Sequence, residues 1–225
     1  MISERDTRLC SVAELVRQDA VLADIGTDHA YLPLFLFERG RIQRAIATDV
    51  AEGPLATARA NVAETPYADR VSFLLTDGLD GLEGRGITDV TVCGMGGELI
   101  AAIVARAPML RDAAIRLILQ PMTRQEQLRR ELSRRGFSVT EERYSAEGNR
   151  AYVTLCVQYS GVCTDLSPEE AVLGTERAVT CEAHRAYLER KRTSLLRAVR
   201  GREMGALCAD EERAMLAAVE RVLND

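Results

Sequence analysis

From Ser11 onward, apolar runs of strand length alternate with amphipathic segments of helix length, and this alternation leaves the 225-residue chain few folds to choose from. Strands that are apolar on both faces must be covered on both, and the helices between them supply the cover. The pattern predicts an α/β fold on a doubly wound, mostly parallel sheet. The runs are AVLADI (Ala20–Ile25), RAIATDV (Arg44–Val50), RVSFLLT (Arg70–Thr76), DVTVCG (Asp89–Gly94) and IRLILQ (Ile115–Gln120), followed by FSVTEERY and AYVTLCVQY. The final two are close enough to form an antiparallel hairpin, with SAEGNR (Ser145–Arg150) as its connection. Helices fit at Tyr31–Arg39, Gly53–Ala63, Gly97–Ala105 and Thr123–Arg135, each returning the chain across the sheet.

After Tyr159 the character changes. SGVCTDLSPEE is a polar connector, and from about Ala171 nearly everything favours helix. Leu188, Leu195, Leu196 and Val199, then Leu207, Met215, Leu216, Val219 and Leu223, form two apolar stripes separated by GREMG. A helical hairpin over Thr180–Arg202 and Met204–Leu223 is expected, and with it two domains, 1–160 and 161–225.

Hydrophobic residues make up 47% of the chain and charged residues 28%, an ordinary globular composition. The net charge of −5 argues against a protein coated in nucleic acid but leaves room for a local basic surface. Of the 29 basic residues 28 are arginine, a bias that genome base composition explains better than phosphate binding. One local excess stands out: Thr180–Glu203 holds seven basic residues, among them Arg190, Lys191, Arg192 and Arg197, against three acids. A face that binds an RNA substrate through these four residues and a solvated helix face with ordinary ion pairs account for it equally well. The six cysteines form no CxxC pair and MISERDTRLC lacks the apolar run of a signal peptide, so reduced thiols and a cytoplasmic setting are expected. No apolar stretch approaches the ~20 residues of a membrane span. Two histidines without clustered cysteines give no expectation of a metal.

In open α/β sheets ligands sit outside the carboxyl ends of the strands, and this chain gathers its glycines and polar residues there. Asp24, Gly26, Thr27, Asp28 and His29 follow the first strand, Asp49 the second, Asp77 and Gly78 the third, Gly94, Met95, Gly96 and Gly97 the fourth, Gln120 and Pro121 the fifth. Gly26 lets a ligand approach the backbone. A dinucleotide turn, however, needs G-x-G-x-x-G, and DIGTDHA sets carboxylates where a pyrophosphate would lie. S-adenosylmethionine, with a ribose, an adenine, an ammonium and a sulfonium, suits such carboxylates. Asp49 is placed to accept from both ribose hydroxyls and Asp77 from the adenine amine. Single strand-end aspartates are also common helix caps and turn formers. For Asp28 and His29 the competing expectation is a cap on the next helix with an imidazole packed beneath it; for GMGG it is a tight turn.

Five parallel strands followed by a hairpin is the plan of the class I methyltransferases. ADIGTDHAYLP, ATDVAEGPLATARANV, TDGL, CGMGGELI and LILQPM together resemble the TrmK-like family of bacterial tRNA (adenine-N1)-methyltransferases, which modify position 22, and the similarity spans essentially the whole chain. The resemblance implies a Rossmann-like class I methyltransferase domain with a seven-stranded sheet, and a coiled-coil-like C-terminal hairpin that helps hold tRNA. It implies cofactor contacts at Asp24, Gly26, Asp49, Asp77 and Gly78; the strand-end positions Thr27, Gly94, Met95 and Gly96 are expected to contact the cofactor as well. It places Asp28, His29, Tyr31 and Pro33 at the methyl-transfer site; Pro33, with Gln120 and Pro121 at the end of the fifth strand, is expected to contact the substrate. Met122 stands where some relatives have asparagine, and Asp49 where others have glutamate. CGMGG also replaces the N/D-P-P-Y/F/W motif that lines up an exocyclic amine, which agrees with a ring nitrogen as target. A monomer or weak dimer is expected. Two other functions fit the same residues: methylation of a small molecule or protein with the hairpin serving dimerisation, and a non-catalytic cofactor-binding module.

Overall fold

The computed structural model describes residues 6–225; residues 1–5, which begin the first expected domain, lie outside it. Seven strands, β1 (Ala20–Ile25), β2 (Ile42–Asp49), β3 (Val71–Leu75), β4 (Asp89–Gly96), β5 (Arg116–Thr123), β6 (Phe137–Glu147) and β7 (Arg150–Tyr159), form one sheet in the order β3-β2-β1-β4-β5-β7-β6. The first five run parallel, and β7 joins β5 antiparallel with β6 outside it. Chain order reverses between β1 and β4, so the crevice for a ligand opens above the ends of these two strands.

The helices are α1 (Thr7–Leu15), α2 (Tyr31–Glu38), α3 (Glu52–Ala63), α4 (Gly97–Arg106), α5 (Gln125–Arg134), α6 (Pro168–Leu173), α7 (Glu182–Met204) and α8 (Asp210–Asn224). Alternate strand residues feed two cores. Leu22, Ala45, Ala47 and Ile118 pack under α1, α2 and α3, while Ala23, Ile25, Leu117 and Leu119 pack under α4 and α5. Leu128, Leu132, Val153 and Leu155 continue this second core to Val172, Leu173, Leu188, Leu195, Met215 and Val219, so α6, α7 and α8 extend the sheet's own core across the expected boundary at 160. Arg185 Nη1 donates to the Leu223 carbonyl at 3.1 Å and Arg213 pairs with Glu203 at 2.6 Å, which sets α7 and α8 antiparallel.

The hairpin connection is shorter than SAEGNR suggests: β6 runs to Glu147 and β7 starts at Arg150, leaving Gly148 (φ +55°) and Asn149 to turn. β4 also outruns its expected end. Gly94 (φ +79°) is the extra residue of a bulge against β5, and the strand continues to Gly96 before α4 begins. A Cβ on Gly97 would lie 2.4 Å from the Arg124 carbonyl oxygen, so α4 starts against the backbone of the β5–α5 corner. Among the described residues no helix is long and apolar enough to cross a membrane, no cluster of His, Cys, Asp or Glu is suited to a metal, and Cys10, Cys93, Cys156, Cys163, Cys181 and Cys208 form no disulfide.

Candidate active site

At the mouth of the β1/β4 crevice the Asp24 carboxylate accepts the hydroxyls of Thr27 (2.7 Å) and Thr91 (2.6 Å) and meets no cation among the described residues. It is almost wholly buried, and burial pushes its carboxyl above the usual carboxylate range, against the pull of the two hydroxyls. The Gly26 and Thr27 N–H groups donate to the Thr48 carbonyl, each at 2.9 Å, which folds the chain over the end of β2. Gly26 has φ +69°, and a Cβ there would lie 2.2 Å from the Met95 methyl group. The bulged end of β4 therefore rests directly on the β1 turn.

The next residues carry backbone strain. Asp28 (φ +53°) and Ala30 (φ +57°) both adopt the left-handed region without being glycine, a feature that concentrates at functional sites. The capping expectation for Asp28 does not hold: Ala30 is the N-cap of α2 and no side chain caps that helix. Asp28 is exposed instead, with Oδ1 3.5 Å from His29 Nε2, and the His29 and Tyr31 rings lie 5.1 Å apart. Asn61 Nδ2 donates to the His29 carbonyl at 3.0 Å. Asn61 lies within the ATDVAEGPLATARANV stretch without a role of its own there; its α3 position matters only once α3 lies beside this turn.

Asp49 ends β2 half-buried, with Oδ1 accepting the Ala51 N–H at 2.9 Å. Asp77 is exposed and held by Arg106, Nη1 to Oδ2 at 2.7 Å and Nη2 to Oδ1 at 2.9 Å, and the Arg106 hydrogen bonds hold its carboxyl below the usual range. Arg106, on the last turn of α4, is a further residue that the sequence did not single out. Gly78 (φ +70°) is buried beside it, its carbonyl 3.4 Å from the Thr48 hydroxyl. Burial, then the Asp24 charge, push the Cys93 thiol up, which removes it as a nucleophile at neutral pH. Gly94, Met95 and Gly96 line the crevice on the β4 side, with Met95 and Gly96 half-buried.

Four expected substrate contacts are packed within the protein. Pro33 is buried in the first turn of α2, and Gln120 and Pro121 are buried in β5. Lys191 is engaged from α7 onto α5, Nζ donating to Glu126 Oε2 at 2.8 Å and Gln125 Oε1 at 3.0 Å. Burial of Glu126 opposes its ionisation, but the Lys191 ammonium outweighs this and holds the carboxyl low. Arg190 bonds the Asn149 carbonyl at the β6–β7 turn. Arg192, Arg197 and Arg200 are exposed and make no ion pair among the described residues.

A methyltransferase-domain family model matches residues 5–155, and a Streptococcus pneumoniae protein solved with S-adenosyl-L-methionine, a candidate tRNA (m1A22) methyltransferase, is 33% identical, with a TM-score of 0.83, 99% of this chain and 100% of that one covered. The chain belongs to the TrmK-like methyltransferase family. A curated relative, the Bacillus subtilis tRNA (adenine(22)-N(1))-methyltransferase, is 32% identical over 67% of this chain, and the match covers 63% of that protein's length. A Streptococcus agalactiae protein of the NADB-Rossmann superfamily superposes with a TM-score of 0.83 at 29% identity, covering 99% of this chain and 97% of that one. The bulged GMGG corner supplies backbone, and no side-chain amide of its own, opposite the DIGTDHA turn.

Proposed function

We propose that this TrmK-like chain transfers a methyl group from S-adenosyl-L-methionine to N1 of adenosine 22 in tRNA, in a cytoplasmic setting. The observation that carries the proposal is Asp24: a buried carboxylate without a cation among the described residues, at the point where the sheet's chain order reverses. A ligand that brings an ammonium and a sulfonium into the crevice supplies the missing charge, so the residues fit this cofactor. When bound, it contributes an electrophilic methyl group.

Everything else falls to the chain. Gly26 lets the backbone approach the ligand, and Asp49 accepts from the ribose hydroxyls with lone pairs that Ala51 leaves open. Asp77 keeps lone pairs beyond the two that Arg106 takes and turns one toward the adenine amine. The target N1 already offers an in-plane lone pair, so catalysis is chiefly proximity and in-line alignment. N1 lies on the Watson–Crick edge, and the base must leave its stack to react. Exposed Asp28 accepts from the 6-amino group of the target as positive charge develops on the ring, and Tyr31, 40% exposed, with His29 offers the face on which the base rests.

The test is nucleoside analysis after incubation with an unmodified tRNA transcript. 1-Methyladenosine is expected, and it should vanish when adenosine 22 is replaced by another base; label appearing elsewhere sinks the assignment. The exposed arginines make a second expectation. Arg192→Glu with Arg197→Glu should weaken tRNA binding at least tenfold at ~0.1 M salt and flatten the salt dependence by about one to two in log–log slope. Binding that keeps its strength and slope would remove α7 from the RNA interface.

A further inference from the structure

The bulge at Gly94 is held by a clamp that begins at the other end of the chain. Gln120 Oε1 accepts two hydrogen bonds, from Arg8 Nη1 at 2.8 Å and from the Gly94 N–H at 3.1 Å. The Gln120 side chain is completely buried, and among the described residues its Nε2 has only long contacts, 3.5 Å to the Pro121 carbonyl and 3.6 Å to Met122 Sδ. The two good donors therefore fix which way the amide faces. Arg8 is itself anchored on both sides. Its N–H donates to Glu147 Oε1 at 2.8 Å, its carbonyl accepts the Ser11 hydroxyl at 2.7 Å, and its guanidinium lies 5.9 Å from the Tyr152 ring centroid. The Thr7 hydroxyl reaches the Ala146 carbonyl at 2.9 Å, and Ser11 Oγ lies 2.9 Å from Thr154 Oγ1.

A bulge residue has no ladder partner, so its N–H needs another acceptor. Here a buried amide provides it. We infer that Arg8, acting through Gln120, is a positioning residue for methyl transfer: it fixes the Gly94 N–H, and with it the Gly94–Gly96 segment whose Met95 side chain rests on Gly26. The N-terminal helix thereby completes the methyl-transfer site from outside the βαβ units that form it. If Arg8 is lost, Gln120 can rotate, the Gly94 N–H loses its acceptor, and Met95 shifts against the Gly26 turn. The cofactor carboxylates stay in place, so alignment suffers more than affinity. This deepens the proposed methyl transfer and rests on it.

The experiment is a double-mutant cycle on the full chain with Arg8→Met, Gln120→Met and both, with Arg8→Lys alongside. It reads turnover of the tRNA transcript, S-adenosyl-L-methionine affinity by calorimetry, and amide exchange at Gly94. Each single variant should lose at least tenfold in kcat with cofactor Kd within about twofold. The double variant should be no slower than the slower single, and Arg8→Lys should recover part of the loss because an ammonium still reaches Gln120 Oε1. Gly94 exchange should quicken at least tenfold in Arg8→Met whatever the substrate proves to be. Unchanged Gly94 exchange, or losses in kcat that multiply, overturns the inference. A wild-type chain that makes no 1-methyladenosine, with Gly94 exchange still responding to Arg8→Met, overturns the substrate assignment and leaves the clamp standing.

Discussion

Arg129→Met is expected to destabilise the fold by about 3–5 kcal/mol, the cost of leaving a buried carboxylate without its cation. Arg129 lies in α5 with a side chain 1% exposed, and Glu142, its partner on β6, is at 0%. Nε donates to Oε1 at 2.7 Å and Nη2 to Oε2 at 3.0 Å, while Nη1 reaches the Ala171 carbonyl of α6 at 3.0 Å. The Tyr144 hydroxyl adds a donor to Oε2 at 2.6 Å, and the Tyr144 ring stacks on His184 of α7 at 3.9 Å between centroids. One guanidinium thus joins α5, β6 and α6 at the place where the C-terminal helices meet the sheet. After the substitution Glu142 keeps only the tyrosine hydroxyl, and the Ala171 carbonyl keeps none of Arg129's donation. Denaturant unfolding followed by circular dichroism measures the loss. The paired variant Arg129→Met with Glu142→Leu should regain most of it, since apolar groups of similar volume can replace a buried ion pair. A single variant within about 1 kcal/mol of wild type, or a double variant worse than the single, would show that the pair does not hold the junction.

That pair also marks where the sequence stops being informative. The strand runs are legible because burial on both faces demands continuous apolar residues, and Ala20–Ile25 appears as a strand within those bounds. The strand-end carboxylates are legible for a related reason: in a parallel sheet the ligand site has a fixed address. Which carboxylates remain available is not legible, because that depends on partners distant in sequence. Asp77 meets Arg106 through the α4 return, and Gln120 meets Arg8 across 112 positions. Lys191 has the same residue type as an RNA contact, and only the approach of α5 turns it into a structural one. The helix α6 is a different case, since its start was there to read. Ser167 accepts from the Glu170 N–H and Glu170 returns to the Ser167 N–H, a capping box with Pro168 at the first position, inside what composition marks as a polar connector.

Asp24→Asn should stabilise the cofactor-free fold while weakening S-adenosyl-L-methionine binding by at least a hundredfold. Both effects follow from one buried charge. Because the native fold raises the Asp24 carboxyl, it holds that proton more tightly than the unfolded chain does. Stability from this group therefore falls as pH rises from the ordinary carboxylate range through the raised native value, and the full penalty persists above it. Asparagine removes the penalty and keeps the size. Thr91 can accept from the new amide and turn its own proton toward the Ala23 carbonyl, 3.4 Å away, so the buried polar groups stay paired. The gain in Tm of Asp24→Asn over wild type should thus be near zero at the acid end and grow toward neutral pH. The same substitution leaves the cationic end of the cofactor facing a neutral amide in a site with no other buried carboxylate nearby among the described residues. Calorimetric titration at neutral pH, beside thermal scans across the acid range, reads both. A variant that binds the cofactor as wild type does would remove Asp24 from the site, whereas a variant with a lower Tm at neutral pH would show that the two threonine hydrogen bonds outweigh the cost of burying the charge.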